Sequence, residues 1–199
     1  MKKTLWFLLM FLVFASCALA WKITPELKDE IKKQEQIVRE NPYNADAHFN
    51  LAMAYAYSNE IKKGWEELVK VNELDPKFSK FALKKYSRLV AKNPDDWRLR
   101  YRLAFSLRFT DQRDKAIEEF KAVQKLNPQE IFASGYIGLM LGEMNRVDEA
   151  IATIQEAVKK DNDVAALHLL LSEAYFRKGE KWKGAAEAME AIRLKTLGY

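Results

Sequence analysis

The feature that most constrains this chain is a 34-residue period in its second half, with units beginning at Trp97, Ile131 and Ala165. Corresponding positions hold residues of like size. The seventh residue is Leu103, Ile137 and Leu171, the eighth Ala104, Gly138 and Ser172, and the eleventh Leu107, Leu141 and Tyr175. The twentieth is Ala116, Ala150 and Gly184, and the twenty-fourth Phe120, Ile154 and Ala188. Large residues at seven and eleven with a small one at eight share one helical face, as a helix needs if a neighbour is to approach closely. Position fifteen is Asp111, Asn145 and Gly179, the types that best tolerate the left-handed backbone of a helix end. Two helices joined by such a turn cannot bury their apolar faces alone. They stack, so the period dictates an all-helical array rather than one deep core.

The same register recurs upstream. Ala45 to Phe78 is another 34-residue unit, with Leu51, Ala52, Tyr55, Gly64, Leu68, Val71 and Pro76 at the matching places and Asn59 in the turn. Pro42 and Pro76, and Pro94 and Pro128, are each one period apart. On these positions the sequence resembles the tetratricopeptide repeat family, over nearly everything after residue 25. The resemblance implies an all-α fold, a right-handed α-solenoid of four full repeats plus two single helices. It also implies protein–protein interaction as the use of that fold, since the family's shared positions are packing positions.

In chain order, residues 1–20 read as a secretory signal peptide: Lys2 and Lys3, an apolar run from Leu5 to Phe14, then Ala18-Leu19-Ala20 before a cleavage point at Trp21. Two other readings stand beside it. Phe14-Ala15-Ser16-Cys17 resembles a bacterial lipoprotein box that would acylate Cys17, and the uncharged stretch from Thr4 to Trp21 approaches the length of an uncleaved anchor. All three place the repeats outside the cytoplasm, in the periplasm or secreted. Cys17 is the single cysteine, so no internal disulfide staples the repeats. Residues 25–78 read as a capping helix and the first repeat, with Thr24 as N-cap and Pro25 in the first turn. From Pro76 to Pro94 is half a period, so 79–94 reads as a degenerate half repeat, a lone helix between that portion and the three-repeat array at 97–198. The last helix, near Trp182 to Leu194, has Ala185, Ala188, Met189 and Ile192 on one face, and nothing later in the given sequence is long enough to cover it.

Little in the sequence points to catalysis. No phosphate-binding, dinucleotide-binding, nucleophile-elbow or zinc motif is present. His48 and His168 occupy the fourth position of repeats three units apart, too far for a dyad or a shared metal. Asp95-Asp96, Glu66-Glu67 and Glu118-Glu119 sit at a helix start or on charged faces, where acids are favoured by the dipole or simply solvated. The expectation is a non-enzyme without metal or cofactor. The formal charge of +5 falls to +3 without Lys2 and Lys3, 31 basic against 28 acidic residues, and reads as too dispersed for nucleic acid. Membrane contact is expected only through the N-terminal signal, lipid or anchor.

A second face of each first helix is the informative one. Positions 2, 5, 9, 12 and 13 lie about 140° from the packing stripe and would be charged on a half-buried helix. Instead they carry Phe49, Met53 and Tyr57, then Arg98, Tyr101, Phe105, Arg108 and Phe109 with Arg102 at the margin, then Phe132 and Leu139, then Leu169, Glu173 and Phe176. In the family this face lines a concave groove that holds peptides. Carried over, it predicts an aromatic groove with an arginine cluster, fit for an apolar peptide or helix bearing an acidic group. Phe49 and Met53 stand where the family's carboxylate clamp would have polar residues, so that clamp is not expected. Packing of these residues against neighbouring first helices, or beneath the lone helix, is the rival reading. The function expected is an assembly or accessory factor of the bacterial cell envelope. The alternatives are a self-assembling scaffold joined through the C-terminal helix and a glycan-binding module using the aromatics as a platform.

Overall fold

A computed structural model describes residues 23–198. Over that span the regular structure is helical: α1 (Pro25–Glu40), α2 (Ala45–Ala56), α3 (Ile61–Leu74), α4 (Phe78–Lys92), α5 (Trp97–Phe109), α6 (Arg113–Leu126), α7 (Phe132–Glu143), α8 (Val147–Lys160), α9 (Ala165–Lys178) and α10 (Lys181–Thr196). The cleavage pattern, Cys17 and the anchor reading lie outside the described residues. None of the described helices is long and apolar enough to cross a membrane.

The repeats are the pairs α2/α3, α5/α6, α7/α8 and α9/α10, stacked as a helical solenoid, with α1 and α4 unpaired. Local chemistry explains the boundaries. Thr24 accepts from the Leu27 amide at 3.2 Å, and Asn44 and Asp96 cap α2 and α5 in the same manner. Position fifteen is left-handed in three repeats, with φ of 63° at Asp111, 60° at Asn145 and 85° at Gly179. The small residue at position eight lets the paired helices close. A Cβ on Gly138 would collide with the Cγ1 and Cδ1 of Ile154.

The first repeat departs from this pattern at its turn. α2 ends at Ala56, and Asn59 takes no left-handed conformation. Its side chain instead crosses 107 residues of sequence to accept from the Ala166 amide at 2.7 Å, capping α9, whose own N-cap residue Val164 has no side-chain acceptor.

The half-period step makes that possible. α4 runs along α5 and hardly meets α3, as a second helix precedes the first helix of the next repeat, and Ala82 is buried 34 residues before Ala116. The first helix that should pair with α4 is missing, and side chains of α2 reach across to α4 instead. Phe49 lies 5.3 Å from Phe78 and 5.6 Å from Tyr86, and Lys85 bonds Asp46 at 3.2 Å. The first repeat is thereby laid across the array. Tyr57 meets Trp97 and Tyr101 edge-on at 5.2 and 4.9 Å, the Tyr101 hydroxyl donates to the Ala56 carbonyl at 3.3 Å, and Trp65 stacks on Phe109 at 6.0 Å. From Ala47 to Ser58 every residue but Asn50 is buried, as expected of a helix that is apolar all round. One core runs from Leu27 to Tyr175.

Candidate partner-binding surface

The two histidines are the first polar residues to place. His48 Nδ1 meets Glu67 Oε2 at 2.5 Å and its Nε2 meets the Pro42 carbonyl at 3.0 Å. His168 repeats this with Glu187 at 2.6 Å and the Asn162 carbonyl at 2.9 Å. Arg100 stands at the same fourth position and does the same work, giving Glu119 a hydrogen bond at 2.8 Å and the Pro94 carbonyl one at 2.7 Å. In each case position four is tied to position twenty-three, 19 residues on, and to the carbonyl six residues back. In these three repeats the side chain at position four carries two hydrogen-bonding nitrogens, and its task is to lock a first helix to its second. No group of three or more potential metal ligands occurs among the described residues.

The expected open groove is largely closed, by the chain itself. Phe49, Met53, Tyr57, Tyr101, Phe105 and Phe132 are all buried core residues. Tyr101 packs edge-on to Phe120 and Tyr136 at 5.1 and 5.8 Å, and Phe105 edge-on to Tyr136 at 4.8 Å. Burial pushes the Tyr57, Tyr101 and Tyr136 phenols up. The lone helix α4 covers Phe49, while Tyr101 is covered by the end of α2. These buried aromatics therefore present no stacking platform to a glycan.

The arginine cluster is likewise committed internally. Arg98 donates to Glu30 at 3.3 Å and lies over Trp97 and Tyr57. Arg102 donates to Asn50 at 2.7 Å and to the Tyr86 hydroxyl at 3.5 Å. Arg108 pairs with Glu143, its guanidinium held 4.4 Å from the Trp65 ring and 4.8 Å from that of Phe109. The acidic anchor expected of a partner already has its counterpart inside the protein.

One part of the concave face stays open. Between α3, α7 and α9 lies a cleft of about 330 Å³, walled by Ile61, Trp65, Leu139, Leu169 and Leu170 and rimmed by Lys62, Glu143, Glu173 and Arg177. Leu169 is 46% exposed there, and Glu173 bonds Arg177 across one turn at 2.7 Å. Phe109 and Leu139 are half-buried, and Phe176, 48% exposed, leans over Gly184 on α10. A second apolar surface is the outer stripe of α10, where Trp182, Met189 and Ile192 are exposed. Met189 occupies position twenty-five, at which Glu35 and Gln155 bond the Tyr55 and Tyr175 hydroxyls of the following first helix at 2.7 and 2.8 Å.

Glu130 escaped sequence reasoning. Its oxygens accept from the Phe132 and Ala133 amides at 3.1 and 2.8 Å, so it caps α7 from a buried site. Burial pushes its carboxyl up to about 7, against the opposing pull of those amides. A lone acid two residues before a helix carried no signal that it would be enclosed. The position-four staples did carry one, since His48/Glu67, Arg100/Glu119 and His168/Glu187 share a spacing.

Models of the tetratricopeptide repeat match residues 98–130 and 137–195. No curated protein matches the chain. Among solved structures, "MamA MSR-1 C2" aligns over 87% of this chain and 90% of its own at 17% identity and a TM-score of 0.49. "Crystal structure of MamA" covers 85% and 90% at 18% identity and 0.48. "Crystal structure of YrrB: a TPR protein with an unusual peptide-binding site" covers 83% and 94% at 19% identity and 0.47.

Proposed function

Because the chain belongs to the tetratricopeptide repeat family, and so is a protein–protein interaction module, we propose that it works outside the cytoplasm, in the bacterial cell envelope, as an assembly or accessory factor. Its partner is a short apolar segment that seats in the cleft between α3, α7 and α9. The observation that carries this reading is Leu169, half exposed on a helix whose other apolar residues from Ala165 to Tyr175 are buried. The cleft beside it is large enough for one or two apolar side chains, and the charges at its rim orient a backbone without demanding an acidic anchor. The export half of the reading rests on the Lys2-Lys3, apolar and Ala18-Leu19-Ala20 pattern.

The test is capture from envelope extract by the protein and by its Leu169→Glu variant, with circular dichroism and melting matched. A partner held by the first and lost by the second supports the cleft. Equal capture refutes it.

The α10 stripe favours a second reading, in which an amphipathic helix docks against Met189 and Ile192 as a further first helix would. Met189→Glu with Ile192→Glu separates the two readings. If a concentration-dependent mass disappears in that variant, the docked helix comes from a second copy and the protein is a self-assembling scaffold. If the mass is constant and capture is unchanged, the stripe is not a binding surface.

A further inference from the structure

The positive charge has one address. Between Asp75 and Asp95 the chain carries Lys77, Lys80, Lys84, Lys85, Arg88 and Lys92 and no acid, and taking these six from the 33 basic residues leaves 27 against 28 acidic. The excess that reads as dispersed over the whole sequence is the charge of α4 and its leading turn. The helix divides cleanly. Phe78, Ala82, Tyr86 and Val90 are buried, while at about 100° per residue Lys77, Lys80, Phe81, Lys84, Arg88 and Lys92 fall on the opposite side, all exposed. Lys85, at the edge of this face, turns to Asp46. The other five cations form no ion pair among the described residues, whereas other helices pair theirs one turn away, as in Lys70–Glu67, Lys121–Glu118 and Arg193–Glu190.

Five unpaired like charges on one helix face repel one another, and that repulsion is relieved by a counter-charge from outside. The shape of the face selects the source. It is spread over the length of the helix, and four of its five unpaired cations are lysines, which act as point charges on flexible stems rather than as forks for a planar carboxylate. Among them stands Phe81, 58% exposed. Lysines that can extend their ammonium groups to a plane of phosphates, around one apolar ring that enters the layer below, match a lipid headgroup surface. An acidic protein would be better held by a concave, arginine-lined site, and that chemistry is committed internally around Arg98, Arg102 and Arg108.

We infer that the exposed face of α4 docks the protein on an anionic phospholipid surface through headgroup phosphates, with Phe81 entering the interface. This membrane contact is separate from any made by the N-terminal segment, and no residue of α4 lines the cleft between α3, α7 and α9.

The test is co-sedimentation of the full chain with phosphatidylcholine vesicles, with and without phosphatidylglycerol. Every variant keeps the same N-terminal segment, so its contribution is common to parent and variants and drops out of their comparison. Expected is a parent whose partition rises with phosphatidylglycerol and falls with salt. Lys80→Gln with Lys84→Gln and Arg88→Gln lowers the phosphatidylglycerol-dependent part roughly 100-fold, as for three cations withdrawn from an anionic surface. Lys28→Gln with Lys33→Gln and Lys160→Gln removes the same charge elsewhere and leaves that dependence nearly intact. Phe81→Ser weakens partition severalfold. Should the α4 triple variant melt early, Lys84→Gln alone reads the same dependence at roughly fivefold. A parent indifferent to phosphatidylglycerol, or two triple variants that behave alike, overturns the inference. Binding to polyglutamate or duplex DNA in preference to the vesicles assigns the face to another polyanion and overturns it equally.

Discussion

Asn59 is the residue on which the docking of the first repeat is most cleanly tested. Its Oδ1 accepts from the Ala166 amide at 2.7 Å, and Ala166 is buried, so water does not replace the acceptor when it is removed. Replacing a capping Asn by Ala costs about 0.5–2 kcal/mol, and a buried donor left unpaired places the loss at the upper end, about 2 kcal/mol. For a domain of this size about 1 kcal/mol moves the melting temperature by roughly 2–4 °C, so Asn59→Ala melts about 4–8 °C early. Asn59→Asp keeps the acceptor and adds a negative charge at the positive end of α9, so it melts at or slightly above the parent. Thermal melting by circular dichroism reads both, and hydrogen exchange locates the effect: the Ala166 amide exchanges faster in the Ala variant alone. An Ala variant that melts with the parent, or an Asp variant that falls as far, would refute the cross-chain cap and with it the anchoring of the first repeat's turn on α9.

The remaining predictions concern packing and charge. Gly138→Ala drives a methyl into Ile154 and destabilises by about 1–3 kcal/mol, while Gly142→Ala, with nothing near its Cβ, is neutral or stabilising by melting. His168→Leu removes both hydrogen-bonding nitrogens of a staple and costs about 2–3 kcal/mol in denaturant unfolding, whereas His168→Arg, on the precedent of Arg100, retains most of the stability. Glu130 has a raised folded-state pKa, so its contribution is fully present below its ordinary value of 4.5 and is lost as pH rises through about 7. Over that interval the loss is about 3 kcal/mol at 1.36 kcal/mol per unit. Glu130→Gln, which keeps a capping oxygen and cannot ionise, flattens this slope. Melting curves between pH 5 and 8 that keep the same slope in the variant would assign it to another group.

The groove shows where sequence reasoning met its limit. Positions 2, 5, 9, 12 and 13 of the first helices carry a run of large apolar residues among their charges, and an apolar second face means either a ligand or burial on both sides. Phe49, Tyr101 and Phe105 are alike in sequence to Leu169 and Phe176, yet the former are enclosed and the latter remain open. Periodicity records that a face avoids water, not what covers it. The histidine staples were closer to legible, because a donor at position four and a Glu at position twenty-three recur together in three repeats. Glu130 and the α9 cap were not, because their partners lie in elements whose mutual placement no local pattern states.

The sequence by itself determined the helices, their pairing within a repeat and three of the four turns. Residue size at positions seven, eight, eleven, twenty and twenty-four admits one way for a helix to approach its neighbour, and Asp111, Asn145 and Gly179 occur where the backbone must turn left-handed. Those are constraints between residues within a single repeat. Tertiary structure alone decided that side chains of α2 would reach across to α4, that the first repeat would lie across α5 and α9, and that one cleft would stay open. The physical reason is the half-period step between Pro76 and Pro94, which leaves each helix its own face but changes which face it meets.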